Sequence, residues 1–331
     1  MDKLINFFLN ISSYFHKNII DIIIQYSDTL FISSSVKFKK KISTIKELTN
    51  NRIAIGYYTG GLCIYNLENG TQIINDQKKH NKSHITSICQ INNNVVIYAM
   101  LNKYYFILWD FENNLETQIN RIVKNHIEKN YVNDLTYLEN NLITYTIRTS
   151  NNNYIMQLVN IITNTKIRST YNISCFTKNN ELIILGIKSS LRRINYDIQS
   201  HNIASFMSSN LSKVCDEIYC ESGIYPIRII PIDYNNYIIS KTDDQKRNCI
   251  GIYNVKAATK NLIMESEKKI NDILYINNNI VILSNNKVYI YNTLGELLQI
   301  IQHGTIKYMK IINLNNKLII ADNEFHLITY G

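Results

Sequence analysis

The chain has few of the residues that usually mark special folds. Only two residues are proline, ten are glycine and one is tryptophan. No run of about 18 apolar residues occurs, which excludes a membrane-spanning helix. The N-terminus lacks the basic start, uninterrupted apolar stretch and small-residue cleavage site of a signal peptide. The sequence therefore predicts neither a secreted protein nor a membrane partner.

Cysteine chemistry is also poorly represented among the six cysteines. Four of them fall inside predicted strands, where a free thiol acts as a small apolar side chain. Cys215 and Cys220 are close in sequence but have no nearby histidine or second cysteine pair, so no zinc site is expected. Since the sequence also has no CxxC motif, it predicts an intracellular, cytoplasmic protein in a reducing compartment.

Catalytic motifs are missing from the sequence. It contains no nucleotide-binding glycine loop, His-Glu metal helix or serine elbow. Its seven histidines form neither a triad nor a ligand spacing. Asp134 and Asp272 occur in similar apolar contexts, V-N-D-L and I-N-D-I, and are interpreted as turn or ladder residues. We therefore expect no enzyme activity, no metal and no cofactor.

What the chain does have is asparagine, isoleucine, lysine and 24 tyrosines. An AT-rich genome would impose the first three, so composition alone is not read as adaptation. Branched and aromatic side chains nevertheless favour strands, because they suit a pleated and half-buried surface.

Asparagine pairs recur between short apolar runs at intervals of about 40 residues, a period typical of propeller blades. Asparagine tolerates positive φ, so each pair predicts a tight turn between antiparallel strands. The seven positions are Asn50-Asn51, Asn92-Asn93-Asn94, Asn140-Asn141, Asn179-Asn180, Asn235-Asn236, Asn277-Asn278-Asn279 and Asn315-Asn316.

A second signature is the end of the third strand in each unit, which reads IYN, LWD, LVN, NYD, IYN, IYN and TYG. This resembles the WD-repeat family, named for a Trp-Asp pair at that place, here Trp109-Asp110. The resemblance implies an all-β, seven-bladed β-propeller over residues 32–331 that serves as an interaction scaffold. It also implies that His84, Ser87 and Trp109 form part of a buried hydrogen-bond network.

The seventh unit lacks its outer strand. The stretch from Ser35 to Ile42 alternates as an exposed strand does, and we expect it to supply that strand. A basic linker is the alternative. Residues 207–223 break the period and predict an insertion on one rim.

Residues 1–31 predict a separate helical segment. Leu4, Phe7, Phe8, Ile11 and Tyr14 fall at helical spacing, and a second short run follows. The second run resembles the first helix of an F-box, on which the docking residues are Phe15, Ile19, Ile20 and Ile23. That resemblance implies a ubiquitin-ligase adaptor as partner, whereas packing of the segment on the propeller is the alternative.

The net charge of +9 suits an acidic partner or a phosphate backbone, although AT-rich coding also produces lysine. In a WD-type blade, the loops between second and third strands share one face with the connections between blades. The predicted partner-binding residues on this basic face are Lys78, Lys79, Lys82, Lys103, Arg121, Lys124, Arg148, Lys246 and Arg247. The sequence thus favours a non-catalytic protein–protein scaffold. A substrate receptor of a ubiquitin ligase and a nucleic-acid-binding propeller remain as alternatives.

Overall fold

A computed structural model describes most of the chain from residue 32 onward. The described residues are 32–75, 83–101, 103, 105–120, 131–139, 141–148, 154–163, 165–171, 173–179, 182–187, 190–195, 216–219, 226–233, 235–242, 248–254, 257, 259–266, 270–284, 286–302, 308–315, 317–322 and 326–330. The predicted helices of residues 1–31 lie outside them. Within the described ranges every regular element is a strand, and no helix there is long and apolar enough to cross a membrane.

The strands form seven antiparallel sheets of four strands each, numbered here from the N-terminus. Sheet 1 holds β2 (Ile42–Leu48), β3 (Arg52–Tyr57), β4 (Leu62–Asn66) and β5 (Gln72–Asn75); sheet 2 holds β6 (Ile85–Gln90), β7 (Val95–Met100), β8 (Tyr105–Asp110) and β9 (Leu115–Asn120). Sheet 3 holds β10 (Tyr131–Glu139), β11 (Leu142–Arg148), β12 (Tyr154–Asn160) and β13 (Thr165–Tyr171); sheet 4 holds β14 (Ile173–Asn179), β15 (Leu182–Ile187), β16 (Ser190–Asn195) and β17 (Asp216–Tyr219). Sheet 5 holds β18 (Pro226–Pro231), β19 (Asn236–Thr242), β20 (Asn248–Asn254) and β21 (Thr259–Ser266); sheet 6 holds β22 (Ile270–Ile276), β23 (Asn279–Ser284), β24 (Lys287–Asn292) and β25 (Leu297–Gln302). Sheet 7 holds β26 (Tyr308–Leu314), β27 (Lys317–Asp322), β28 (His326–Tyr330) and the N-terminal strand β1 (Ile32–Lys37).

The outer strand of sheet 7 comes from the other end of the chain, as the sequence predicts. β1 pairs antiparallel with β28, with Ile32 opposite Tyr330 and Lys37 opposite His326. The strand begins three residues earlier than expected and ends at Lys37, because Phe38 turns inward and is buried. Residues 38–41 connect it to β2 rather than continuing the strand.

Asparagine pairs form the first hairpin turns of several sheets. Asn277 and Asn278 link β22 to β23 and have φ values of 48° and 62°. Asn50 and Asn51 also have positive φ, at 61° and 54°, between β2 and β3. Asparagine is the non-glycine residue best suited to this conformation, so the predicted turn role is confirmed at these positions.

The aligned third-strand endings have a common structural cause. The Asn160 side-chain oxygen accepts the backbone N–H groups of Ile162 and Thr163, each at 3.0 Å. Asp110 accepts those of Glu112 and Asn113 in the same way. Such a side chain closes the turn to the outer strand, which only Asn and Asp do well. Asn66, Asn254 and Asn292 also accept backbone N–H groups from residues two to four positions on.

In sheets 1, 2 and 3 the two turn types are also joined by a hydrogen bond at one end of the sheet. The residue after the capping Asn or Asp donates its N–H to the carbonyl of the last turn asparagine, as from Phe111 to Asn94 at 3.0 Å. Leu67 donates to Asn51, and Ile161 to Asn141. This bond places the two sequence signatures at the same end of these three sheets.

The core lies between the faces of adjacent sheets. One apolar cluster joins sheets 1 and 2 around Trp109 and Tyr98, and another joins sheets 2 and 3, where the rings of Phe106 and Tyr145 meet edge to face at 4.7 Å. Cys63, Cys89 and Cys249 are buried within the strands, as predicted. Burial raises the pKa of the Cys63 thiol to about 11, which keeps it protonated near neutral pH.

First strands of successive sheets lie against each other: β2 contacts both β6 and β26, and β6, β10, β14, β18, β22 and β26 follow in turn. Each first strand has an irregularity in register near its start, as between Ile42 and Thr44. The residue of the partner strand opposite this point is often small; Gly56, for example, lies opposite Thr44. A side chain there would meet the neighbouring sheet, because a Cβ on Gly56 would lie 2.8 Å from the Cβ of Ile85.

One prediction about loops needs correction. Residues 207–223 were expected to be an insertion, but Asp216–Tyr219 within them forms β17, the outer strand of sheet 4. The period lengthens because the connection between the third and outer strands of this sheet is long. The remaining residues of that stretch lie outside the described ranges.

Candidate functional site

The best-described part of the basic face is built around the connection from β1 to β2. Phe38 is buried and packs edge to face on Tyr65, with ring centroids 5.5 Å apart. This anchor fixes the connection, so the exposed Lys39 and Lys41 flank a half-buried Lys40 at the end of sheet 1. With Lys37 and Lys103, these residues form what we call the lysine face.

Aromatic rings order two of these lysines. The Lys41 ammonium lies 4.8 Å from the ring centroid of Tyr58, and Lys40 lies 5.8 Å from that of Tyr57. The Tyr58 backbone N–H donates to the Lys41 carbonyl at 2.9 Å. The ring of Tyr58 in turn lies 5.2 Å from the His84 ring of sheet 2. A cation over an aromatic ring is held by the ring quadrupole, so this part of the face is ordered.

The charge of the lysine face comes from lysine alone at neutral pH. Burial lowers the pKa of the His84 imidazole, and burial raises the pKa of the Tyr58 hydroxyl. Both rings are therefore neutral at pH 7 and serve as a platform between cations.

The opposite end of the sheets has a different charge. The turns between the third strand and the outer strand carry Glu68, Glu112 and Glu296. None of the described residues in the asparagine turns, or in these turns before the outer strands, is a lysine or arginine. The described turns at this end therefore carry no cation, whereas the lysine face lies at the other end of the sheets.

The structure describes only two of the predicted partner-binding residues. Lys103 lies half-buried in the turn between β7 and β8, at the same end as the lysine face. Arg148 ends β11, opposite both Tyr131 and Tyr154. The other predicted residues lie outside the described ranges: Lys78, Lys79, Lys82, Arg121, Lys124, Lys246 and Arg247, and the docking residues Phe15, Ile19, Ile20 and Ile23.

The sequence alone did not single out Lys37, Lys39, Lys40 and Lys41 as candidate binding residues. These lysines lie within the stretch predicted as the closing strand, and that prediction rests on the alternation of side chains and not on charge. Three consecutive lysines at positions 39–41 were the signal in the sequence. Because β1 ends at Lys37, these lysines lie in the connection to β2.

A second group of charged residues links the first strands of sheets 5, 6 and 7. Asp272 is 2% exposed and lies 2.5 Å from the Arg228 guanidinium and 3.5 Å from the Lys310 ammonium. Its two oxygens also accept the N–H groups of Ile273 at 3.0 Å and Ile311 at 3.2 Å. Each of the three charged residues follows the register irregularity of its own first strand.

This ion cluster is a structural connection between sheets. The carboxylate uses both oxygens on neighbouring strands, and a buried carboxylate is stable only when paired and hydrogen-bonded in this way. The sequence suggested a ladder role for Asp272, but gave no sign of Arg228 or Lys310, which align with it only once the irregularities are known. Asp134 occupies the matching place in β10.

Two of the residues expected in a WD-type network, Trp109 and Ser87, bond to groups of neighbouring elements. Trp109 donates its ring N–H to Asn114 of the adjoining turn at 3.3 Å. The Ser87 hydroxyl accepts the N–H of Leu135 from sheet 3 at 3.2 Å. Ser87 thus connects two sheets in the same manner as Asp272 does with Ile311.

Among the described residues, no three His, Cys, Asp or Glu side chains lie close enough together to hold a metal ion. Asp322 is buried and bonds His326, with Oδ2 and Nδ1 2.9 Å apart and the His326 N–H donating to Oδ1 at 2.8 Å. This pair spans the turn from β27 to β28. Its backbone bond indicates a turn-closing role.

Comparison with known proteins adds no family to this description. No protein-family model matches the chain, and no curated protein matches it either.

Proposed function

We propose that the chain is a closed seven-bladed propeller that acts as a non-catalytic scaffold for protein–protein interaction, with the lysine face as its binding surface. Support for closure comes from the contact of β2 with both β6 and β26 and from the pairing of β1 with β28. The first feature gives the series of sheets no free end, and the second pairs the outer side of β28; a ring has this advantage over an open array.

The observation that carries the function is the ordered lysine face. Lys39 and Lys41 project from a connection that Phe38 anchors, and the Tyr58 ring, which packs on His84, supports Lys41. Clustered cations on a rigid base attract an acidic protein surface and lose little side-chain freedom on binding. The partner is thus a protein with an acidic patch.

The test is affinity purification with mass spectrometry on the full chain and on a Lys39→Glu/Lys41→Glu variant. We expect the double variant to lose partners that the full chain retains, because reversal of two charges makes the face repel an acidic surface. Lys317→Glu, at the other end of sheet 7, is the control and should retain them. Equal recovery with all three chains would overturn the lysine face as the binding surface.

A chain that lacks residues 1–31 separates the alternatives in the same experiment. Ubiquitin-ligase subunits lost on truncation would favour the substrate-receptor function. Recovered nucleic acid whose binding weakens steeply with salt would favour the nucleic-acid function. Protein partners that survive truncation and disappear with the double variant are the outcome expected of the scaffold.

A further inference from the structure

The outer edge of sheet 6 exposes an unusual set of apolar side chains. Leu294 in the turn before β25 is 75% exposed, and Leu298 is 54% exposed; Leu297 and Ile300 are each 48% exposed. We call these four residues the leucine edge. Isolated apolar residues on a surface need no explanation, but four around one edge strand indicate a contact surface.

This edge also lacks the charges that normally protect such strands. β25 reads LLQIIQ, whereas the outer strands of sheets 2, 3, 4, 5 and 7 each contain a charged residue. Lysine and other charges on an edge strand prevent pairing with foreign strands. The outer strand of sheet 1, QIIN, is the other uncharged edge, and it exposes Ile73 and Ile74.

We propose that the leucine edge is the docking site of residues 1–31 of the same chain. The argument begins with where that segment joins the sheets. β1 begins at Ile32 opposite Tyr330, and Tyr330 shares an apolar cluster with Ile301 of β25. The end of the segment is thus one packed layer away from the leucine edge.

The direction of the strands agrees with this placement. β1 begins opposite the last residues of β28, and β25 begins at Leu297 opposite Tyr291, near the end of β24. The turns between the third and outer strands lie at this end of the sheets. Leu294, Leu297 and Leu298 therefore lie at the end of the sheets from which the segment departs.

The size and chemistry of the segment fit the edge. Its predicted first helix, residues 4–14, would be about 16 Å long at 1.5 Å per residue. The six residues of β25 span about 20 Å at 3.3 Å per residue. Residues 25–31 can reach about 24 Å when extended, more than the roughly 10 Å between packed sheets. The helix would bring Leu4, Phe7 and Phe8 to an apolar surface that nothing else described in the structure covers.

Photo-crosslinking in the full chain tests this proposal. A benzoylphenylalanine in place of Leu298 is irradiated, and the trypsin-digested product is identified by mass spectrometry. Cleavage after Lys3 and Lys17 separates the segment into identifiable peptides. We expect crosslinks to peptide 4–17 or 18–37 within one monomer.

The matched control places the same probe at Ile74, which is 53% exposed on the other uncharged edge. We expect no crosslink to the segment from this position. Equal crosslinking at Ile74 would overturn the assignment to the leucine edge. A crosslinked dimer or a crosslink to another protein from Leu298 would overturn the segment as the occupant.

Hydrogen exchange provides a second test that needs no benzoylphenylalanine in the chain. In a Leu297→Asn/Leu298→Asn variant, the amides of residues 4–14 should exchange about tenfold faster or more, because the docked helix is released. The Ile73→Asn/Ile74→Asn variant should leave that exchange unchanged. No change in the first variant would contradict the docking, whatever the fate of the lysine-face proposal.

Discussion

At the scale of single residues, Gly56 shows how closely adjacent sheets approach. A Cβ at this position would lie 2.8 Å from the Ile85 Cβ and 3.0 Å from Thr44 Cγ2, and both are fixed on first strands. Gly56→Ala should therefore destabilise the fold by about 1–3 kcal/mol, the usual cost of overpacking a core. Urea unfolding measures the change.

Gly70→Ala is the comparison for that substitution. Gly70 has φ of +71°, but the nearest atom to its Cβ position is 3.8 Å away. Its cost of about 1–2 kcal/mol would come from the backbone alone. If Gly56→Ala were neutral, the two sheets would not be in the close contact described.

His84 makes stability depend on pH at a single residue. Burial lowers its folded pKa below the unfolded value of about 6.5. The unfolded chain then binds a proton that the folded chain does not, so the contribution is present above about pH 6.5 and is lost as pH falls through the folded pKa. We expect His84→Gln to flatten the decline in unfolding midpoint between pH 7.5 and 5.

The His84 ring signals in an NMR titration check the cause directly. They should shift with a midpoint below that of a free histidine. A midpoint at or above about 6.5, together with equal pH slopes for the two chains, would contradict the account.

At the scale of elements, the capping residues at the third-strand ends maintain the hairpins. Asn160 accepts two backbone N–H groups, and an alanine cannot replace them. Asn160→Ala should cost about 1–2 kcal/mol, at about 1 kcal/mol for each partly exposed hydrogen bond. Thermal or urea unfolding measures it.

Asn160→Asp is the matched control, because Asp110 performs the same role in sheet 2. It should retain most of the stability that alanine loses. Equal losses for both substitutions would mean that the side-chain amide, and not the turn cap, is what matters at this position.

These elements are the part of the fold that the sequence allowed us to predict. The Asn pairs and the third-strand endings are local signals, because the former act through their own backbone conformation and the latter through hydrogen bonds to residues two to four positions away. β4 ends in the IYN signature, and β7 begins directly after the asparagine turn of residues 92–94. The pairing of β1 was predictable because the last repeat is one strand short.

The remaining features depend on distant residues. β17 lies within the stretch where the repeat fails, so no period marked it. Arg228, Asp272 and Lys310 are far apart in sequence and meet only because three sheets lie side by side. The lysine face depends on a strand ending at Phe38, a boundary that burial of one ring decides.

At the scale of the whole molecule, the ion cluster tests how three sheets are joined. Asp272→Asn preserves shape but removes the charge between Arg228 and Lys310, which remain with unbalanced charges. We expect a loss of about 2–4 kcal/mol, toward the lower end because both cations are partly exposed. Lys317→Met, an exposed lysine on the same sheet as Lys310, should change stability by less than about 0.5 kcal/mol.

Chemical denaturation of the two variants gives the comparison. If Asp272→Asn were as stable as the parent, the cluster would not hold the sheets together. A broadened transition, with sheets 5 to 7 losing exchange protection first, would show that the cluster joins a cooperative unit.

The proposed closure of the seven sheets into a propeller can be tested by moving the strand β1. Ile32 lies opposite Tyr330, so a short Asn-Gly turn can join Gly331 to Ile32 and make sheet 7 a continuous meander. A permuted chain that starts at Ile42 and ends with residues 32–41 should fold with stability within about 1 kcal/mol of the chain 32–331, since only one connection changes.

A chain of residues 42–331 lacks the strand altogether and is the contrasting case. It loses the β1–β28 pairing and leaves β28 as an exposed edge, so it should unfold earlier and aggregate. X-ray scattering adds the shape: a closed ring of this length predicts a radius of gyration of about 20 Å for the permuted chain. A larger radius in the permuted chain, or full stability of residues 42–331, would mean that β1 does not close a ring. The expected contrast would instead establish that the first strand of the chain completes the last sheet and, with it, the circuit of sheets that presents the lysine face.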